Sequence, residues 1–482
     1  MKRLPFIVGI FRMHRKVPGF LFYCLLFVCF SWGNSVSAKQ DPVRRAVASS
    51  PKAKSSGAKK TTVGKVVSKV SPSKREAVKK PASAKKAPVK PKSKKNKLSA
   101  FYQGLKVRLV TLDEGDWLFT YFGHNAILPY HPKVKNYDDA YNFGMFSVSN
   151  VMGLVHNFLQ NTLQYSLDRI REAELINDYK EEDRTYRERE ILLTVEERRR
   201  LLKFLLNHYR PKNRNYHYNH YTSNCSTKIR DALLAAIGPT FRQNAQEKRG
   251  WTYRRHIMRK LYPNPVVMVL IDMATGPYAD RELTLWEEMF LPDVLENYLA
   301  SPIWKKQRGR SLVLAPKLRH KRTKAKAWFW HSHRILYGLM LLCLLLGVLV
   351  FRKPVFRTLL RLMVFFLATL GCVLFFLVFF TKIPEFSQNA NLLVFHPLHW
   401  AFWWMLSKKR WHTEKGQVLI KRYLLVHIGL GILYMLLNMS GVVPYQANTH
   451  FMLFALGIFG LATYRLLRVP PQIQTEEVNQ IA

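Results

Sequence analysis

Hydrophobic and polar positions divide the 482-residue chain into blocks of unlike character. Long, nearly unbroken apolar runs fill its last third, at 335–351, 355–380, 391–406, 423–443 and 450–467. Several reach the roughly 20 residues that a hydrocarbon core about 30 Å thick demands, and the third is the shortest. They predict a helical membrane domain over 335–468 with about five spans, four being the alternative, and a short tail at 469–482. Residues 99–316 read differently. Aromatic and β-favouring runs around 117–128 and 140–147 predict strands. Ile229, Leu233 and Ile237 recur at helical spacing before a Gly238-Pro239 stop. Thr194 and Glu197 have the spacing of a capping box, heading a helix that carries Arg198, Arg199 and Arg200. The expectation is an α+β domain followed by membrane helices.

Charge changes this picture at the N-terminal end. Lys and Arg number 76 against 31 Asp and Glu, a formal net of +45. The mean hydropathy of −0.12 averages a Lys-rich tract with apolar spans, so a single soluble globule is excluded. Residues 39–98 hold 20 Lys and Arg against only Asp41 and Glu76, with no aromatic side chain. Such a tract cannot bury enough apolar surface to offset its ordering entropy and reads as a disordered linker. Ahead of it stand Lys2, Arg3, Arg12, Arg15 and Lys16, an apolar stretch at 20–32, and Ser-Val-Ser-Ala ending at Ala38. Residues 1–38 therefore read as an export signal, cleaved or retained as an anchor. Export turns the linker's counter-charge from nucleic acid to anionic lipid or envelope polymer.

The loops between the apolar runs orient them. Arg352, Lys353, Arg357 and Arg361 lie on one side, with Lys408, Lys409, Arg410, Lys415, Lys421 and Arg422, then Arg465 and Arg468. The alternate loops, 381–390 and 440–449, hold only Lys382 and Glu385. This is a positive-inside pattern with 100–334 outside and the C-terminus in the cytoplasm. The basic stretch 317–334 dissents and reads as a juxtamembrane clamp on anionic headgroups.

Of five cysteines, Cys24 and Cys29 fall in the leader and Cys343 and Cys372 in apolar runs, which leaves Cys225 alone in the exported domain. Exported domains usually pair their cysteines. A buried small residue is one explanation. The surroundings favour another. Ser223 or Asn224 is a good N-cap, so Cys225 opens a helix, where free N–H groups and the dipole favour thiolate and can hold an oxyanion. Among the histidines, His217 and His220 precede that helix too closely to face its first turn readily. His124, beside Gly123 in a strand-like run, is the better general base, although a structural imidazole is the competing reading. Asn142, on the second strand, can orient the ring as the third group of Cys-His-Asn sites does. Asp138 and Asp139 read as turn residues. No metal-ligand spacing, phosphate loop or dinucleotide fingerprint occurs, and no cofactor is expected.

The order histidine, polar residue, cysteine reverses that of papain and resembles the circularly permuted NlpC/P60-like group, in which an Asn-Cys pair opens the helix. Phe122-Gly-His124-Asn-Ala-Ile, Tyr141-Asn-Phe-Gly, Leu163-Gln-Tyr165-Ser-Leu, Tyr221-x-x-Asn-Cys225-x-x-x-Ile-Arg230-Asp231 and Asp280-Arg281-(x)5-Glu287-Glu-Met-Phe-Leu-Pro292 resemble the exported domain of Lnb-type lipoprotein N-acyltransferases. The resemblance covers roughly residues 100–300; the Lys-rich linker lies outside it. It implies N-acylation of the lipid-modified N-terminal cysteine of bacterial lipoproteins, with a phospholipid as acyl donor, at the bacterial cytoplasmic membrane. It also implies Cys225 as nucleophile and His124 as base. Tyr121, Asn224, Tyr165 and Arg230 become substrate-positioning candidates, Arg230 with an ion pair to Asp231 as the favoured alternative. Two other functions use the same features: a membrane-anchored cysteine amidase or peptidase on cell-wall peptides, and a non-catalytic envelope scaffold gripping anionic polymer.

Overall fold

The computed structural model describes residues 94–116, 120–146, 151–323, 332–351 and 354–468. The leader, nearly all of the Lys-rich tract and the tail at 469–482 lie outside the described residues. Helix α1 (Lys94–Gly104) leads into β1 (Lys106–Leu112), β2 (His124–Tyr130) and β3 (Asp139–Met145). Then come α2 (Val151–Leu159), β4 (Gln164–Arg171), α3 (Glu172–Glu181), β5 (Tyr186–Ile191), α4 (Val195–His208), β6 (Asn215–His217) and α5 (Cys225–Ile237). β7 (Lys248–Thr252), α6 (Tyr253–Leu261), α7 (Pro265–Ala274), β8 (Glu282–Thr284) and β9 (Lys317–His320) follow, with shorter helices at Thr240–Gln243, Leu285–Glu288, Pro292–Leu299 and Ile303–Arg308. Seven strands form one antiparallel sheet in the order β6-β4-β3-β2-β1-β5-β9, and β7 pairs with β8.

Strand periodicity explains the layers. Val107, Leu109, Ile127, Tyr141, Phe143 and Ile191 share one face, packed with Leu201, Leu205, Ile229 and Leu233 from α4 and α5. Val110, Leu112, Ala126, Leu128, Ala140 and Tyr186 share the other, beneath Leu175 of α3. Both faces are covered, so the strands are apolar on successive residues. The capping box at Thr194–Glu197 heads α4. Of its arginines, Arg198 and Arg200 donate to the carbonyls of Gln103 and Ala236.

Three sequence readings need correction here. The linker reading ran to 98, but α1 starts at Lys94; Phe101 stacks on His131 at 5.2 Å and anchors it. The strand expected around 117–128 begins only at His124, as β2, because residues 120–123 turn at Gly123 (φ 77°), where a Cβ would sit 2.7 Å from the Leu112 carbonyl. Residues 117–119 lie outside the described residues. Third, 317–323 is part of the domain. β9 pairs with β5, and Arg319 meets Glu188 (2.9 Å) and Glu172 (3.2 Å) while Arg322 meets Asp116 (2.6 Å). Glu188 is buried and a carboxylate there needs a cation. Arg319 and Arg322 therefore face protein carboxylates and not headgroups; 324–331 lies outside the described residues.

The C-terminal part holds α8 (Ser332–Leu349), α9 (Val355–Phe380), α10 (His399–Met405), α11 (Glu414–Ser440) and α12 (His450–Arg468). Among the described residues, α9, α11 and α12 are long and apolar enough to cross a membrane. The expected span at 391–406 is not one helix. It has a 3-10 turn at Ala390–Leu393, an irregular stretch and then α10. Pro397 supplies no N–H to a helix, and His399 spends Nε2 on the Val394 carbonyl at 2.8 Å. It still passes through the bundle. Asn389 accepts from Gln446, beyond the end of α11, and the Leu406 carbonyl accepts from Arg357 in the first turn of α9. Part of the expected basic loop at 407–422 is helical, since Thr413 caps α11 at Glu414.

The domain rests on the loops expected outside. Asn389 and Asn391 donate to the Met273 carbonyl (2.8 and 2.9 Å), Gly276 to the Glu385 carbonyl (2.7 Å) and Asn448 to the Asp272 carbonyl (2.5 Å). Arg254, 5% exposed, organises this junction through Asp272 (2.5 Å), Asp280 (2.7 Å) and the carbonyls of Thr275 and Gly276. Arg254→Leu leaves two buried carboxylates without their cation and is expected to cost about 3–5 kcal/mol. Thermal unfolding of the detergent-solubilised chain checks this; an unchanged Tm would show that the junction is held elsewhere.

Candidate active site

β2 and β3 are neighbours, and His124 and Asn142 share the strand parity of Ala126 and Ala140. Both side chains therefore emerge on the α3 side, where the Tyr179 ring lies 6.5 Å from that of His124. The His124 Nε2–H donates to Asn142 Oδ1 at 2.5 Å. An amide oxygen only accepts, so Nε2 carries the proton and Nδ1 is left for the sulfur. Asn142 is buried, and its Nδ2 reaches Met145 Sδ at 3.5 Å.

Cys225 arrives on α5, whose N-terminus is fixed by a complete capping box. Asn224 Oδ1 accepts from the Thr227 N–H (2.9 Å), and Thr227 Oγ1 accepts from the Asn224 N–H (2.7 Å). The thiol sits in the first turn and is partly exposed. Burial pushes its pKa up, but the charge and hydrogen bond of His124, with the backbone N–H groups of Asn125 and Ser226, bring it below the ordinary thiol value. Burial pushes the His124 imidazole down, and the Cys225 thiolate and Asn142 raise it above the usual range. The two shifts are one coupling, in which each group favours the charged form of the other. The arrangement brings together a thiol, an imidazole held by an amide oxygen, and two backbone donors at the sulfur.

The other predicted residues divide. Tyr165 lines the site, stacked between Phe146 (4.6 Å) and Tyr218 (4.1 Å), its hydroxyl pKa raised by burial and then by Cys225. Asn224 does not face a substrate: Oδ1 caps the helix, and Nδ2 donates to the carbonyls of His220 (2.7 Å) and Phe290 (2.9 Å). Arg230 is buried, pairs with Asp231 (2.9 Å), donates to the Trp286 carbonyl and lies over the Trp286 ring. It holds the core. Tyr121 accepts from Asn264 Nδ2 at 3.2 Å, beside α7. His220 packs its ring against Phe122 at 4.3 Å, and burial lowers its pKa to about 4. Arg281 pairs with Glu287 at 2.8 Å.

Sequence reading gave no role to Gly144. Its φ is 100°, and a Cβ there would touch Cys225 Cβ and His124 Cε1, each at 3.7 Å. The missing side chain leaves open the space over the dyad, at a register shift of β3. The glycine closing Tyr141-Asn-Phe-Gly was the available signal. The N–H donors of Asn125 and Ser226 carry no side-chain signature and were not readable. Among the described residues, no group of three or more His, Cys, Asp or Glu is placed to hold a metal ion.

Comparison with known families agrees with this layout. The model of the Lnb N-terminal periplasmic domain matches residues 94–262, and that of the Lnb transmembrane domain matches 324–468. The first match stops short of the Asp280–Pro292 block. No curated protein and no solved structure matches the chain. Two family models, in order and together spanning more than half of the sequence, each fall on one of the two structural parts. The chain belongs to the Lnb family, which performs membrane-associated lipoprotein N-acylation, and it has an α+β periplasmic domain followed by a helical membrane domain.

Proposed function

We propose that this protein N-acylates the N-terminal cysteine of bacterial lipoproteins through a thioester at Cys225, with a phospholipid as donor, at the periplasmic face of the cytoplasmic membrane. The carrying observation is the Cys225–His124 pair at the head of a capped helix, in a domain seated on membrane helices. The Cys225 thiolate attacks an acyl ester carbonyl, and the oxyanion is held by the N–H groups of Asn125 and Ser226. The carbon–oxygen bond to glycerol breaks, His124 gives its proton to the leaving alkoxide, and a lysophospholipid departs. Neutral His124 then takes a proton as the lipoprotein α-amine attacks the thioester. The carbon–nitrogen bond forms, the carbon–sulfur bond breaks, and the thiolate–imidazolium pair is restored.

Donor and acceptor are both confined to one membrane plane, so a tethered site meets them at high effective concentration. The Lys-rich linker supplies contact with anionic lipid but no chemistry. Incubation of the full chain with acyl-labelled phospholipid is expected to place label transiently on Cys225, then chase it onto the N-terminus of an added lipoprotein. An amidase acting on wall peptides would leave Cys225 unlabelled and release shortened peptides, and that outcome sinks the proposal.

A further inference from the structure

Helix α2 is apolar for most of its length, yet Met152 and Phe158 are 56% and 45% exposed. Its position explains the exposure. The Leu159 carbonyl at its end accepts from the Lys382 N–H at 2.9 Å, and Gln160 Nε2 donates to the Phe380 carbonyl at 3.2 Å. Phe380 is the last residue of α9, so α2 meets this span where the span leaves the hydrocarbon layer. Phe379 and Phe380, 62% and 59% exposed, continue the apolar surface along the span. At its other end α2 follows β3 closely: Met145 touches Asn142, and Phe146 stacks on Tyr165 beside Cys225. Five residue steps separate Phe146 from Val151, which limits the gap to about 18 Å.

Helix α7 repeats the pattern on the Tyr121 side. Its Val266 is 56% exposed, while Met273 at the far end is buried in the core of the membrane helices. Asn264, its N-cap, holds the Tyr121 hydroxyl three residues before His124. Two apolar helices thus join the dyad end of the sheet to the bilayer surface. A soluble domain gains nothing from such exposed apolar residues, whereas continuity with a span matches the lipid interface.

We propose that α2 and α7 form a lip sunk in the outer leaflet, which receives the acyl chain of a bilayer phospholipid and leads its ester to Cys225. This rests on the N-acyltransferase reading above and adds the route by which the donor arrives. The chain need not leave the lipid, so its solvation is never lost; only the ester crosses to the dyad.

Two measurements on the full chain in phospholipid vesicles test it. A photo-crosslinking amino acid is placed at 152, at 158, or at 134, an exposed position in the β2–β3 turn at the opposite end of these strands from His124. Lipid adducts, read by mass spectrometry, are expected at 152 and 158 and not at 134. In parallel, Met152→Asp and Phe158→Asp are compared for Cys225 acylation by phospholipid and by p-nitrophenyl acetate, a water-soluble ester. The ratio of the two rates is expected to fall roughly tenfold or more, the worth of one apolar side chain lost from a lipid contact. A folding defect lowers both rates and leaves the ratio, and an unchanged ratio overturns the proposal. Absence of adducts at 152 and 158 overturns it independently of activity. Adducts at both, with wild-type Cys225 never acylated by phospholipid, overturn instead the acyltransferase reading on which the route rests.

Discussion

Full-length protein carrying Cys225→Ala or Cys225→Ser is expected to transfer no acyl label above background, while remaining inserted and folded. The serine variant is the sharper test. It keeps the helix N-terminus and His124 and puts oxygen in the place of sulfur, but a hydroxyl has no accessible anion, whereas the thiol's pKa is lowered below its ordinary value. Structural cost is small by comparison. The thiol is partly exposed, and its hydrogen bonds come from His124 and two N–H groups on the site's own rim. Thermal unfolding close to wild type, with no thioester detectable by mass spectrometry of the Cys225 peptide, is the expected pair of results. Retention of most transfer by Cys225→Ala would remove nucleophilic catalysis and raise the scaffold reading.

Loss of the base is expected to be large but incomplete. His124→Gln should lower transfer about 10²–10⁴-fold, the usual worth of a positioned general base. The pH dependence separates this from a packing defect. In the wild type His124 pulls the Cys225 pKa down and Cys225 pulls that of His124 up, so each favours the charged form of the other. Thiolate reactivity rises as pH passes the depressed cysteine value, and imidazolium is lost above the raised histidine value. Acylation should therefore follow a bell. Without His124, burial is the largest influence left on Cys225 and acts to raise its pKa. The pH midpoint for alkylation of Cys225 by iodoacetamide, followed on its own peptide, should move upward. A midpoint that stays where it was in the wild type would overturn the base assignment.

The parts of this site that could be read from sequence are those made by neighbours in the chain. The Ser223-Asn224 cap and the 229–233–237 spacing sit within a few turns, so the helix and its first turn were legible. His124 and Asn142 came from two short strand patterns whose pairing the sequence only suggested. What escaped depends on distant partners. Asn224 looked free to meet a substrate because one carbonyl it satisfies belongs to Phe290, 66 residues away; Arg230 keeps the Asp231 partner favoured from sequence, but its bond to the Trp286 carbonyl, 56 residues away, was hidden. Arg319 looked like a lipid contact because Glu188 lies 131 residues earlier. A lysine or arginine reads alike in sequence whether it meets a phosphate or a buried carboxylate. The broken passage at 391–406 was misread as a helix for a related reason: side-chain bonds replaced helical ones, and hydropathy is blind to that.

The late arrival of β9 has a consequence for biogenesis. Until residues 317–320 emerge, β5 presents an open edge, with Glu188 buried beneath it and short of its Arg319 partner. An open edge is a template for wrong pairing. The strand that closes it is made only just before Ser332 begins α8, the first apolar helix after the domain. Closure of the sheet therefore becomes possible shortly before α9, the first described helix long and apolar enough to cross a membrane, is made. A chain halted before 317 leaves that edge open, whereas one that reaches α9 can complete its sheet while tethered by a span, apart from other half-made copies.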